Sequence, residues 1–457
     1  MSSDGSLRAI GLLGATAVVA GSMLGVGIFL TPHLVAQSVS SPGLFLLLWA
    51  LGGVIAAAGA VTYAELGAMM PDAGGDYVYL RRAFGSTTSF AAGVVLFVGV
   101  FGGSIASMSA AVSQYQLAVL AGSVGVDLAS RWIEIGALGF HMTGVEVVAI
   151  TLVVLLTALN VLGVRLSSFT QTLLTLVPVG ILTSFAVFAL ATAPHAGASS
   201  GDALPSDVSA VGAALLNIYF AYAGWNAVAY IGGEVADPGR NIPRALLVGT
   251  ALVTALYLLL CAAWISVLGM GGIREAFEVG TAAAGALLGV NAEWIVAAII
   301  AVALVGSVNA TVLGGARIGY AMGCDRALPS SLGTLSESTQ VPTRALWAQA
   351  VLSIFLIASG TFEELVLLTS VAMFLLGSLT VCALFALRRR EPDAERPYRA
   401  SLHPVLPLVY LATALAVVGL EVRDVVTGAE GASALPLLGI GVFVVVWLLR
   451  RFLGGPR

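Results

Sequence analysis

The sequence predicts an all-α polytopic membrane protein, and three observations carry that prediction. Apolar residues make up 59% of the 457 and charged residues only 10%. Mean hydropathy is +1.00. Apolar runs recur along the whole chain at lengths of about 20 residues or more, the length a helix needs to cross a bilayer. Such a chain carries more apolar surface than a water-soluble core can bury.

Taken in order, twelve runs fall between polar or turn-rich pieces: 9–38, 43–69, 86–119, 143–163, 169–193, 209–233, 245–270, 292–322, 343–360, 364–387, 404–422 and 433–453. The leading MSSDGSLR is short and polar, and the run after it is too long for a removable signal peptide. Orientation follows from arginine, the sole basic residue type besides histidine, since the chain has no lysine. With the N-terminus inside, every arginine except Arg131, Arg274 and Arg423 falls on the inner side, as the positive-inside rule requires. Both termini are therefore expected in the cytoplasm and the protein in the cytoplasmic membrane. The expected divisions are a cytoplasmic tail at 1–8, helices 1 to 5 over 9–193, helices 6 to 10 over 209–390, helices 11 and 12 over 404–453, and a tail at 454–457. The longest outer connections, about 120–142, 194–208 and 271–291, have room for short surface helices.

The first run reads GSMLGVGIF at Gly21 to Phe29, three glycines in seven residues. Each costs about 1 kcal/mol of helix propensity relative to alanine. Gly21 and Gly25 form a GxxxG pair that suits close helix packing, whereas the run's excess length allows a break. The sixth run carries AYAGWN at Ala221 to Asn226, and Gly21 and Gly224 each lie in the first helix of a five-helix block. Interrupted helices at corresponding places in two halves point to a transporter site between inverted repeats. Unwound N–H groups suit a carboxylate and unwound carbonyls an ammonium or a sodium ion, so the paired breaks fit a free amino acid.

Around these breaks stand GSMLGVGIFLTP, SPGL (Ser41 to Leu44), YAELG (Tyr63 to Gly67), GGDYVYL (Gly74 to Leu80), FAYAGWN (Phe220 to Asn226), DPGRNIPRA (Asp237 to Ala245), GSVNATVLGGAR (Gly306 to Arg317) and RALPS (Arg326 to Ser330). Together they resemble the L-type amino acid transporter family of the amino acid, polyamine and organocation superfamily, over Gly21 to about Pro397. The resemblance implies the leucine-transporter fold, with twelve helices, a 5+5 inverted repeat and helices 1 and 6 interrupted. It implies alternating access of neutral amino acids, commonly by exchange. Carried over by position, the backbone of Ser22, Met23, Leu24, Gly25, Val26 and Gly27 would hold the amino and carboxylate groups. The carbonyls of Phe220 and Ala223 would complete the ammonium site, the Phe220 ring would be a gate, and Trp225, Asn226 and Ala227 would line the side-chain end.

Departures from the family pattern carry information. Many relatives have a lysine in helix 5 beside the helix 1 break, where this chain has Pro178 in LTLVPVG. That excludes a lysine-based proton relay and leaves open what steadies the broken helix. Ser307 and Thr311, at i and i+4, can offer hydroxyls to a cation or a water there, or to carbonyls of their own helix. The loop at 120–142 has no cysteine, which excludes the disulfide-linked glycoprotein of animal members. A stand-alone prokaryotic transporter is expected, monomeric or a weak homo-oligomer, with amino acids and membrane lipids as its partners and no nucleic acid. The family's paired glutamates are reduced here to Gly233 and Glu234.

Glu65, Glu234 and Arg317 fall near inner helix ends, where they are either interfacial charges or a gate in which Glu65 or Glu234 pairs with Arg317. Asn160, Asn217 and Asn309 are expected to bond between helices. Glu293 suits the start of its helix, and RRREPDAERPYR (Arg388 to Arg399) reads as an anchor or anionic-lipid contact. Cys261, Cys324 and Cys382 form no disulfide or metal pattern, and His33, His141, His195 and His403 are scattered. No nucleotide or hydrolase fingerprint is present, so neither an enzyme nor a cofactor is expected. The alternatives are an ion-coupled amino acid or amine symporter or exporter and, more remotely, a non-transporting sensor.

Overall fold

The structure is a computed structural model that describes residues 8–135, 140–193, 208–289, 293–359, 362–427 and 435–452. All but Arg8 of the expected tail at 1–8, the tail at 454–457, nearly all of the loop 194–208 and His195 lie outside the described residues. Every predicted run is helical over most of its described length. The first is two helices, α1 (Leu12–Met23) and α2 (Gly27–Ser38), bent by 41° at the break between them. Then come α3 (Pro42–Met69), a short α4 (Asp76–Phe84), and a long helix made of α5 (Ser86–Val94), α6 (Gly103–Ala111) and α7 (Ala118–Ser123). The three pieces are joined by π-helical turns at Val95–Gly102 and Val112–Leu117. A hairpin of β1 (Arg131–Ile135) and β2 (Phe140–Thr143) leads to α8 (Gly144–Val161) and α9 (Val164–Thr192).

The second half repeats the theme of a broken first helix, with α10 (Val208–Tyr222) and α11 (Ala227–Tyr230) separated by an unwound stretch. There follow α12 (Pro238–Glu275, kinked at Gly269), α13 (Val279–Leu288), α14 (Glu293–Cys324), α15 (Thr343–Ala358), α16 (Phe362–Arg390), α17 (Val405–Thr427) and α18 (Leu435–Phe452). Among the described residues seven helices are long and apolar enough to cross a membrane, or eight if the bent α1–α2 pair is one span. The chain is thus an integral multi-pass membrane protein.

Two of the outer connections are ordered in different ways. The connection at 120–142 holds a β-hairpin between its α7 start and α8, not a surface helix; Trp132 and the antiparallel ladder order it. The one at 271–291 does carry a helix, α13, capped by Glu278, whose carboxylate accepts from the Gly280 and Thr281 N–H groups at 2.8 and 3.0 Å.

The core gathers around the broken helices. α1 packs on α9, α12 and α14, and α2 packs on α10 and α12, so both breaks lie at the centre of the bundle. Small residues permit this. A Cβ on Gly27 would sit 2.9 Å from the Ala221 Cβ, and one on Gly224 would sit 2.7 Å from the Ser22 carbonyl oxygen. Gly224 also holds φ +99°, a left-handed conformation that side chains other than glycine rarely adopt.

Candidate functional site

The first break follows from three consecutive backbone choices. Leu24 still donates its N–H to Ala20 O, Gly25 turns back onto Met23 O at 2.7 Å, and α2 restarts with Val26 O accepting from Phe29 and Leu30. The N–H groups of Val26 and Gly27 donate to no protein group among the described residues, and they stand at the positive end of α2. At the second break the Ala223 carbonyl accepts no hydrogen bond among the described residues, while Phe220 O accepts from Ala223 N–H at 3.1 Å. The Tyr257 hydroxyl, from α12, reaches both Met23 O at 2.5 Å and Ala221 O at 3.0 Å. One side chain therefore fixes the two breaks relative to each other.

Between them lies a cavity of about 110 Å³ open to water-sized groups. Ser22, Met23, Gly25, Val26, Gly27, Phe220, Ala223, Trp225, Asn226 and Ala227, all expected from the sequence, line it together with Thr311. Leu24 does not. Its side chain is fully buried and its N–H is spent on α1, while its carbonyl accepts no hydrogen bond among the described residues. Apolar walls come from Leu96, Val100, Phe101 and Met108 of the π-interrupted helix and from Met373 and Leu376 of α16.

What steadies the broken helix in the absence of lysine is a chain of neutral groups. Thr175 Oγ1 donates to Ala17 O at 3.0 Å, Gln171 Nε2 donates to Thr175 Oγ1 at 3.1 Å, and Asn309 Nδ2 donates to Gln171 Oε1 at 2.7 Å. Asn160 Nδ2 then donates to Asn309 Oδ1 at 2.7 Å and its own oxygen accepts from Ser167. The expected interhelical bonds of Asn160 and Asn309 are present; Asn217 makes none among the described residues. Gly21 is needed here, because any Cβ on it would overlap Gln171 Nε2 and Thr175 Oγ1. Pro178 is buried one turn farther along α9 and does not line the cavity. Ser307 donates to Ser22 O at 3.1 Å, whereas Thr311 donates to Ser307 O at 2.8 Å, within its own helix.

Of the two pairings expected for Arg317, one is present. Glu234 and Arg317 form a buried ion pair at 2.7 Å. Glu65 does not pair with Arg317. It is fully buried and accepts from Arg388 and Arg396, and from the Ala400 N–H at 2.7 Å. The reading of Glu65 as interfacial is corrected accordingly, and within the Arg388 to Arg399 segment, expected as an anchor or anionic-lipid contact, two arginines turn inward to neutralise its buried carboxylate.

Sequence reasoning missed Asp76. It is 1% exposed, lines the cavity, and accepts from the hydroxyls of Tyr63, Tyr230 and Thr380. Burial pushes its carboxyl upward from the ordinary range, against the pull of these three donors. It is the one ionisable carboxyl among the cavity-lining residues described. The signal was in GGDYVYL, where the acid stands directly beside two glycines of positive φ, Gly74 at +115° and Gly75 at +50°.

The profile of the family described as Amino acid permease matches residues 10–444. The chain is 28% identical over 454 residues to the Serine/threonine exchanger SteT of Bacillus subtilis, covering 98% of each chain. It is 27% identical over 412 residues to the b(0,+)-type amino acid transporter 1 of Mus musculus (89% of this chain, 81% of the relative). It is also 27% identical over 445 residues to the Large neutral amino acids transporter small subunit 2 of Homo sapiens (95% and 80%). These relatives are transporters and not enzymes. With backbone groups freed at two facing breaks and a family profile spanning nearly its whole length, the chain belongs to the amino acid permease family and is an amino acid transporter of the membrane.

Proposed function

We propose that this permease exchanges neutral L-amino acids by alternating access around the cavity between α1–α2 and α10–α11. The observation that carries the reading is the facing pair of unused backbone groups. Val26 and Gly27 N–H suit a carboxylate, and the Ala223 carbonyl suits an ammonium. The apolar walls suit an uncharged side chain, and Asp76 already has three hydroxyl donors and needs no cationic substrate to satisfy it. The Phe220 ring, on the cavity wall, is the gate in this reading. Twelve spans in a 5+5 inverted repeat, cytoplasmic termini and a stand-alone protein in the cytoplasmic membrane belong to the same proposal, supported by the arginine distribution and the near-complete alignment with SteT.

The test is uptake of a panel of labelled amino acids into proteoliposomes, preloaded or empty, with and without sodium and a pH gradient. Exchange is supported if preloading accelerates uptake while sodium removal leaves it unchanged. Uptake indifferent to preloading but dependent on an ion gradient would replace exchange by ion-coupled transport.

A further inference from the structure

The start of α4 is knitted into the second broken helix. Gly74 N–H donates to Tyr230 O at 2.9 Å, Ala73 and Ile231 form an isolated antiparallel bridge, and a Cβ on Gly75 would lie 2.6 Å from the Tyr230 ring. This places the Asp76 carboxyl where three separate elements meet. One oxygen accepts from Tyr63 of α3 and Thr380 of α16, and the other accepts from Tyr230 of α11.

Two of those donors also touch the unwound stretch. Tyr230 Oη accepts from Asn226 Nδ2 at 3.2 Å, and the Tyr63 ring packs edge-on against Trp225 with centroids 4.8 Å apart. No cation pairs with Asp76 among the described residues. A buried carboxylate without a counter-charge is costly, and packing alone would be served as well by a neutral residue. Its two oxygens accept from three hydroxyls of three elements at once, whereas an amide would have to donate to the Tyr230 hydroxyl, which already accepts from Asn226.

We propose that Asp76 is a positioning residue for transport: it ties α4 to α3, α11 and α16 in the arrangement described, and it transmits the state of residues 225 and 226 to the closing of the cavity. The proposal rests on the exchange reading for its kinetics. An amino acid that moves Trp225 or Asn226 moves Tyr63 or Tyr230, and the three hydroxyl bonds are then lost or regained together. The carboxylate thus makes the closure cooperative rather than gradual.

The experiment compares wild type with Asp76→Asn, Tyr63→Phe and Tyr230→Phe, measuring equilibrium binding of a transported amino acid in detergent and both exchange and efflux in proteoliposomes. Asp76→Asn is expected to lower exchange turnover by about tenfold or more, the size of one lost charge-assisted hydrogen bond, while affinity changes by less than about threefold. The two phenylalanine variants should fall between it and wild type. Acceleration of efflux by external substrate should shrink in Asp76→Asn, because closure no longer depends on occupancy. Wild-type turnover in Asp76→Asn, or parallel loss of affinity and turnover in a folded protein, overturns the proposal. Should Asp76→Asn fail to fold, wild-type turnover in both phenylalanine variants overturns it instead. A wild type that shows no acceleration by external substrate would refute exchange alone, since the split between binding and turnover is read without it.

Discussion

Gly21→Ala is a one-methyl change whose consequence can be worked out from the structure. The new Cβ would overlap Gln171 Nε2 and Thr175 Oγ1, with the Thr175 Cβ 3.5 Å away. Both side chains are fully buried in α9, so the amide has nowhere to go without breaking its bonds to Thr175 and from Asn309. Each buried polar group left unsatisfied costs about 1–3 kcal/mol, and alanine returns about 1 kcal/mol of helix propensity, so the net loss is roughly 1–5 kcal/mol. Purified protein should therefore unfold several degrees lower by intrinsic fluorescence, with a matching loss of exchange. Gly180→Ala is the control, because that glycine is on the same α9 with open space around its Cβ; it should be neutral or slightly stabilising. A Gly21→Ala protein as stable and as active as wild type would refute the claim that the amide chain steadies the broken helix.

Three further outcomes are expected. Gly25→Val should leave the protein folded, because the nearest atom to a Cβ there is the Ser307 hydroxyl at 3.3 Å, yet should abolish binding of labelled amino acid by filling the cavity. Tyr257→Phe releases Met23 O and Ala221 O together and should weaken binding about tenfold, as judged by titration calorimetry. Glu65→Gln strands Arg388 and Arg396 and should destabilise the protein by about 3–5 kcal/mol, seen as a lower unfolding midpoint, whereas Glu134→Gln, at the exposed Arg131 pair, should change it little.

The broken helices were legible because the cause is local. A run too long for one span, with glycines at the point of failure, announces itself in a dozen residues, and the family motifs around it fix its register. The amide chain was not legible, because its members come from α8, α9 and α14 and Asn160 meets Asn309 across 149 positions of sequence. A missing lysine could be noticed; Gln171 and Thr175 standing in for it could not, since polar residues on a membrane helix commonly satisfy their own backbone. Glu65 was misassigned for a related reason. Its partners come from the far end of α16 and the connector beyond, and nothing in YAELG points there. Asp76 was overlooked because an acid between two spans looks solvated until the fold carries its loop into the bundle.

The chain of amides and hydroxyls from Asn160 to Ala17 has one more consequence. None of its members gains or loses a proton anywhere in the physiological range. A lysine at that junction would make the posture of α1 answer to acidity on whichever side water reached it. With Pro178 at the lysine position and the neutral Gln171 and Thr175 making the contact to α1, this junction holds no charge for acidity to switch.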